Sequence, residues 1–277
     1  MSYSGVFKQQ QTKTISITSG KGGVGKTTIT ANLALRLSQT GNKVLIFDGD
    51  LGMANVDILY GVKPTGSIYD VIRGERTIHE VMIEVAKDVF LIPGGSGILE
   101  FNNLNGFQRR AMIEAVGQLP QDFDYLLIDT APGIAENVLY LNAAAQTIAV
   151  VITPDPSSLA DSYALIKVLH QKYRENKFSI ICNQVRNETE GVGLYQRFND
   201  VVNKFLYIGL DYMGSIPMDP ILRNATQLNR LIMRHDSSSE SAKALKKICT
   251  EIECMNDRRS VTKGGLQMFW EQVVGVA

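Results

Sequence analysis

A chain of 277 residues, 44% of them hydrophobic and 20% charged, can bury one large core or two modest ones. Its 28 basic and 28 acidic side chains cancel, and at a pI near 6.8 no global field draws it to nucleic acid or anionic lipid. Three cysteines, Cys182, Cys249 and Cys254, are too few and too odd in number for a disulfide framework and suit a reducing cytoplasm.

The opening MSYSGVFKQQQTK is mostly polar and has no apolar core, which predicts an N-terminal arm over residues 1–13 and no secretory signal. No apolar run approaches the ~20 residues of a membrane span. From Thr14 the alternating β-branched run TISIT reads as a strand. It feeds Ser19-Gly20-Lys21-Gly22-Gly23-Val24-Gly25-Lys26-Thr27-Thr28, and that turn opens directly into the helical pattern ITANLALRLSQ. A glycine-rich turn between strand and helix curls its backbone so that successive N–H groups converge on an anion. The helix adds the partial positive charge of its N-terminus. The stretch Gly20 to Thr28 therefore reads as a phosphate-binding loop, with Lys26 reaching the outer phosphates and the Thr27 hydroxyl binding Mg²⁺.

The loop carries a second lysine, Lys21, for which an ordinary phosphate loop has no need. KGGVGKTT resembles the deviant Walker A loop of the MinD/ParA ATPases. The resemblance implies that Lys21 crosses a dimer interface to the partner's nucleotide, so that two molecules sandwich two ATPs.

Gly41 ends the first helix, and KVLIF predicts a second buried strand over Lys43–Phe47. Asp48-Gly49-Asp50 follows at the same edge of the sheet. Of two such carboxylates, one can bond the loop or the metal shell while the other orients water on the γ-phosphate; capping a turn is the plainer alternative. The run FDGDLGMANVDILYG is similar to the switch I region of the MinD group, and on that match Asp50 positions the water and Asp48 supports it. Asn55 and Asp57 fall in the same run without an assigned role.

Short apolar runs then recur at Asp88–Ile92, Asp124–Asp129, Ile148–Thr153 and Phe178–Asn183, with helical patterns such as Ala160–Tyr173 between them. This alternation predicts an α/β fold, a three-layer P-loop NTPase sandwich whose mostly parallel sheet is flanked by helices. Ligands are expected at the carboxyl ends of the strands. FDYLLIDTAPG reads as a Walker B strand whose Asp129 holds Mg²⁺ through water, with Gly133 letting the backbone approach the γ-phosphate. No Arg or Gln is placed as an extra catalytic group, which predicts slow, switch-type turnover.

TPDPSSLADSYALIK places a stop-and-start signal at Thr153, with Ser157-Ser158 as the expected helix cap. This run, LIPGGSGILEFNNL and MGSIPMDPILRNA are close to the FlhG/FleN regulators of flagellar number within the MinD group. That resemblance implies adenine contacts from Asn183, Pro217 and Asp219. His79, His170 and His235 stand alone, and Cys249 and Cys254 lack the spacing of an iron–sulfur or zinc motif. Arg109-Arg110 and Arg258-Arg259 read as solvated faces, short of a nucleic-acid footprint.

Four segments result: an arm over 1–13, a MinD-like ATPase domain over 14–255, a polar linker over 256–264 and an amphipathic helix over 265–277. In LQMFWEQVVGVA, Leu266, Phe269, Trp270, Val273, Val274 and Val276 share one arc of roughly 160°, with Gln267, Glu271 and Gln272 opposite and Met268 out of place. Such a helix suits a membrane interface. The alternative is that it packs into a groove of its own domain, to be released on dimerisation.

The expectation is a cytoplasmic ATPase using ATP and Mg²⁺, which dimerises on ATP and binds the inner membrane surface peripherally, in some settings at a pole. The resemblance implies partners: the signal-recognition-type GTPase FlhF, flagellar C-ring proteins and a flagellar transcription regulator. The arm lacks the DQA-type motif through which many FlhG proteins activate FlhF. Competing readings are a division-site or chromosome-positioning ATPase of the same fold and a scaffold that binds ATP without cleaving it. An iron–sulfur carrier would need paired cysteines, which the spacing denies.

Overall fold

The computed structural model describes residues 11–51, 55–95, 104–120, 122–255 and 265–275. Eight strands form one sheet: β1 (Lys13–Thr18), β2 (Val44–Gly49), β3 (Ile83–Ala86), β4 (Val89–Ile92), β5 (Tyr125–Thr130), β6 (Thr147–Ile152), β7 (Phe178–Val185) and β8 (Leu210–Pro217). Their order is β3-β4-β2-β5-β1-β6-β7-β8, and every neighbouring pair is parallel except β3 with β4.

The helices are α1 (Lys26–Gln39), α2 (Val56–Tyr60), α3 (Ile68–Ile72), α4 (Ile78–Val81), α5 (Gly106–Gly117), α6 (Glu136–Ala144), α7 (Pro156–Tyr173), α8 (Glu188–Leu206), α9 (Pro220–Gln227), α10 (Ile232–His235), α11 (Glu240–Cys254) and α12 (Leu266–Val273). The expected α/β sandwich is present.

The period-two geometry of a strand explains the layering. Along β2, Val44 and Ile46 enter the cluster shared with α1, α10 and α11, while Leu45 and Phe47 enter the one shared with α3 to α5. In β1 the same alternation separates apolar from hydroxyl residues. Ile15 and Ile17 go to the α1 side. On the other face, Ser16 Oγ donates to Asn142 Oδ1 of α6 at 2.8 Å, and Asn142 Nδ2 donates to Thr18 Oγ1 at 3.1 Å. A buried polar group needs such a partner, so the TISIT pattern fixes α6 against β1.

Two edge features were not expected. β3 is a four-residue antiparallel strand, and β8 is interrupted by Gly214 at φ 146°, which breaks the continuous apolar signature. The arm is also shorter than expected, because Lys13 already lies in β1 and Thr12 is buried. Residues 1–10 and the proposed linker, 256–264, lie outside the described residues.

The terminal helix settles on its own domain. α12 packs against α5 and α6, burying Leu266, Phe269, Trp270, Val273 and Val274 in the cluster that holds Phe47, Met112, Val116 and Leu141. Trp270 meets Phe47 edge-on at a centroid distance of 4.7 Å. The expected arc is therefore real, and it faces protein; Val276 lies outside the described residues. Both ends of the helix are held. The Gly265 N–H donates to the Thr12 carbonyl at 3.1 Å, and the Arg109 guanidinium donates to the Val274 and Gly275 carbonyls. Arg109 is thus no solvated face: its Nε is also spent, on the Leu104 carbonyl.

Candidate functional site

The carboxyl ends of β1, β2 and β5 converge on the loop Ser19–Gly25, which leads into α1. Gly23 and Gly25 take φ values of 75° and 94°, backbone that a side chain resists, and Gly25 is the N-cap of α1. A Cβ on Gly20 would lie 2.0 Å from the Asp161 carbonyl carbon, so the start of the loop is pressed against the α7 backbone. A Cβ on Gly25 would lie 2.6 Å from Asn183 Nδ2. Gly22 meets only the Pro132 ring at 3.7 Å, and Val24 is buried.

The two lysines of the loop diverge. Lys26 is buried and curls back over the loop, where its ammonium donates to Ser19 Oγ at 3.0 Å. That is its single hydrogen-bond partner among the described residues, although an ammonium has three hydrogens to give. Burial holds its pKa below the ordinary value, opposed by the charges of Asp129 and Asp50. Lys21 instead lies outside the cradle, paired with Asp155 and donating to Ser157 Oγ at 2.6 Å.

Opposite Lys26 stand three carboxylates. Asp48 and Asp129 face each other in register on β2 and β5. Burial raises both of their pKa values, and the charge of Asp129 raises Asp48 further. Asp48 accepts from the backbone N–H groups of Asp50, Asn55 and Val56 at 3.0–3.2 Å, tying the end of β2 to the start of α2. Residues 52–54 of the switch I run lie outside the described residues. Asp129 accepts from the hydroxyls of Thr27 and Thr30. Asp50 sits where its charge acts on both Lys26 and Asp129. Gly133 takes φ 93° and donates to the Ser19 carbonyl at 2.9 Å, joining the loop after β5 to the cradle.

On the far side Asn183, at the carboxyl end of β7, donates from Nδ2 to the Val24 carbonyl at 2.7 Å and accepts from the Gln184 N–H. One amide hydrogen remains for a ligand. Pro217 ends β8, and the Met218 N–H beside it bonds the Val185 carbonyl. Asp219 is more heavily engaged than expected. One oxygen caps α9 through Ile221 N–H, and the other accepts from the Ser241 N–H and hydroxyl at the start of α11. The Thr28 carbonyl accepts from the Asn32 side chain, so that residue continues the helix.

One correction concerns the cap of α7. Asp155 is the N-cap and Pro156 the first helical residue, whereas Ser157-Ser158 had been expected there. Proline lacks the N–H that would be orphaned at the first helical position, so the helix starts at Pro156 and the cap falls on Asp155, two residues before Ser157. Ser158 turns inward to accept from Thr153 N–H at 3.1 Å. The pairing of Asp155 and Ser157 with Lys21 had no local signature, because it joins residues over 130 positions apart.

The residues present fit an anionic nucleotide with Mg²⁺. A buried, under-bonded ammonium at a helix N-terminus calls for an anion. Among the described residues no three His, Cys, Asp or Glu side chains gather to hold a metal ion alone. A hydroxyl and one carboxylate suit Mg²⁺ completed by phosphate oxygens and water.

Comparison with known proteins agrees. The family described as AAA domain matches residues 12–181. The chain is 34% identical to the antiactivator FleN of Pseudomonas aeruginosa, over 94% of this chain and 92% of that one. It belongs to the MinD/ParA family of P-loop ATPases. Within that family it is also 33% identical to the flagellum site-determining protein YlxH of Helicobacter pylori, over 95% of this chain and 90% of that one. The septum site-determining protein MinD of Pyrococcus horikoshii, solved with Mg-ADP, superposes with a TM-score of 0.68 at 27% identity, covering 89% of this chain and 98% of that one. ATPases of the MinD/ParA family bind nucleotide, and in this chain the Ser19–Gly25 loop, the end of β5 and the Asp48–Asp50 turn meet at one edge of the sheet. Its three cysteines, Cys182, Cys249 and Cys254, form no disulfide.

Proposed function

We propose that this protein is an Mg²⁺-dependent ATP hydrolase working as a slow switch, which dimerises around ATP and controls flagellar number or placement. The observation that carries the switch is the divergence of the two lysines: Lys26 alone serves the cradle, while Lys21 projects from it at the sheet edge. A lysine beyond its own cradle has a purpose when a second copy faces it. The flagellar role rests on likeness to relatives named for antiactivation and for flagellum site determination. Partners on this reading are a second copy of the chain and a flagellar transcription regulator, with FlhF and C-ring proteins as further candidates.

Positioning and charge neutralisation carry the chemistry. Bound Mg²⁺, held by the Thr27 hydroxyl and by Asp129 through water, would supply neutralising charge beside the phosphates. Lys26 and the loop N–H groups hold the phosphate oxygens. Asp50 orients water, Asp48 fixes the turn that carries Asp50, and Gly133 brings backbone to the outer phosphate. Asn183 offers its remaining amide hydrogen to adenine. Pro217 contributes its carbonyl edge, while Asp219 acts by fixing that loop between α9 and α11.

The docked α12 supplies the output. Released on dimerisation, its apolar arc would bind the inner membrane surface, doubled in avidity by the second copy. No described helix is long and apolar enough to cross a membrane.

Trp270 is the only tryptophan of the chain and is fully buried. With the Asp50→Ala variant blocking hydrolysis, ATP should convert monomer to dimer in analytical ultracentrifugation. Vesicles containing brominated anionic lipid should then quench Trp270 emission with ATP and not with ADP. A monomer at saturating ATP would overturn the dimer, and a dimer without quenching would overturn the membrane output.

A further inference from the structure

The Asp48–Asp50 turn and the α12 groove share a wall. Gly49, the middle of the turn, is buried, and a Cβ on it would lie 2.7 Å from Leu141 Cδ1 of α6 and 3.0 Å from the Asp129 carbonyl oxygen. The turn therefore rests on a leucine methyl with no space to spare. Its other side is closed as well, because a Cβ on Gly94 would lie 2.1 Å from the Asp48 carbonyl oxygen. Leu141 belongs to the apolar cluster that holds Phe269 and Trp270, and α6 packs against α12. Phe47, on the same face of β2 as Gly49, is the ring that Trp270 meets edge-on.

The next residue keeps α6 from yielding. Asn142 is fully buried; its Nδ2 donates to Thr18 Oγ1 at 3.1 Å and to the Val138 carbonyl at 2.7 Å, and its Oδ1 accepts from Ser16 Oγ at 2.8 Å. Thr18 Oγ1 also accepts from the Thr130 hydroxyl at 2.9 Å. The helix is thus fastened to the residue before the phosphate loop and, through it, to the residue after Asp129. A buried polar network satisfied in this way is rigid. In a close-packed interior, a shift of the turn then has to be taken up by Leu141 and what lies behind it.

We propose that Leu141 is a positioning residue that couples the Asp48–Asp50 turn to the docking of α12 within a single chain, with Asn142 as the fixed point of α6. This rests on the reading that ATP at the cradle drives α12 from its groove, and it adds that the bias exists before two copies meet. A turn re-aimed at bound nucleotide displaces Leu141, and the displaced leucine loosens the cluster that holds Trp270. Such coupling is reciprocal: whatever factor ATP applies to docking, docking applies to ATP affinity.

The test has two arms, and the first needs no nucleotide. Gly49→Ala overfills the contact and should drive Leu141 into the groove, releasing α12 in part and shifting Trp270 emission to the red. Leu141→Ala vacates that space, so in its background Gly49→Ala should shift emission no further. The second arm is calorimetric titration with a slowly hydrolysed ATP analogue and Mg²⁺, at a concentration where ultracentrifugation shows monomer. Freeing α12 by Phe269→Ala with Trp270→Ala should tighten binding about fivefold or more. In a Leu141→Ala background the same pair should alter binding less than about twofold. A leucine that merely filled the core would lower stability without moving either difference.

Unchanged Trp270 emission in a folded Gly49→Ala protein would overturn the proposal. Analogue affinity that ignores the state of α12 would overturn it too; if ATP still dimerises the protein and brings it to vesicles, the switch stands and only the route through α6 has failed. Should Gly49→Ala not fold, the second arm decides alone. If no variant and not the parent binds the analogue, the nucleotide reading has failed, and this coupling fails with it.

Discussion

The nucleotide cradle and the α12 groove are held together by different physics. The cradle is a set of directional bonds: Gly133 to Ser19, Asn183 to Val24, Asp48 to the start of α2 and Lys26 to Ser19. The groove is held by area, with five apolar side chains inserted between α5 and α6 and one backbone clamp at each end. It even tolerates an orphan, because Trp270 Nε1 is buried with no partner among the described residues. Directional sites keep their shape and change their ligand; area-held pieces can leave as a unit. On the proposed function the cradle would serve as input and the α12 groove as output.

The largest effect expected is at the cradle. Lys26→Ala should weaken ATP binding on the order of 100-fold or more, the loss of about two charge-assisted hydrogen bonds. The same change should leave the nucleotide-free protein as stable as before or more so, since a desolvated, under-bonded ammonium is removed. Calorimetric titration and thermal unfolding check the two halves. Unchanged ATP affinity would break the cradle side of the comparison.

Trp270→Ala tests the other side. In an integral core such a truncation costs about 3–5 kcal/mol. Burying the five side chains of α12 stabilises by about 1.5–3 kcal/mol each. Ordering nine or so residues opposes this by about 1–2 kcal/mol each. The two sums are of the same size, so docking is expected to be marginal, and no mutation within α12 can destabilise the rest of the fold by more than the docking free energy. Urea unfolding of Trp270→Ala should therefore show a loss below about 2 kcal/mol, and adding Phe269→Ala should change little more. Additive losses would make α12 a fixed part of the core.

Arg109→Ala should act more gently. It removes donors to the Val274 and Gly275 carbonyls, a loss of about 1 kcal/mol. That raises the released fraction about fivefold, which a red shift of Trp270 emission would report. An unchanged spectrum would mean that the clamp adds nothing to docking.

The same division explains what could be read from the residues alone. The cradle is local: strand, glycine turn and helix are contiguous between Lys13 and Gln39, so KGGVGKTT carries its own context. Asp50, Asp129 and Gly133 follow from strand ends that a parallel sheet must bring to one edge. The tail was legible as an amphipathic arc but not in its destination, because lipid and an apolar groove ask for the same face. The Arg109 clamp and the Lys21–Asp155 pair join residues more than 130 positions apart, and no periodicity encodes such pairings. Asp219 was expected as an adenine contact, and its bonds to Ile221 and Ser241, which no local pattern announces, show a carboxylate serving the loop's shape.

Trp270→Phe carries the smallest expected effect and separates area from bonding within the groove. The substitution keeps an aromatic edge for Phe47 and removes the indole N–H that has no partner. Relief of a buried unsatisfied donor is worth about 1–3 kcal/mol. The volume lost on going from indole to phenyl opens a small cavity of opposite sign and similar size. The two should nearly cancel, leaving docking within about 1 kcal/mol of wild type, even though truncation of the same residue to alanine is felt. Vesicle pelleting and urea unfolding serve as readouts, since the variant has lost its fluorophore. A loss well beyond that, matching Trp270→Ala, would show that the indole N–H finds a partner in solution and that the groove, too, depends on a directional bond.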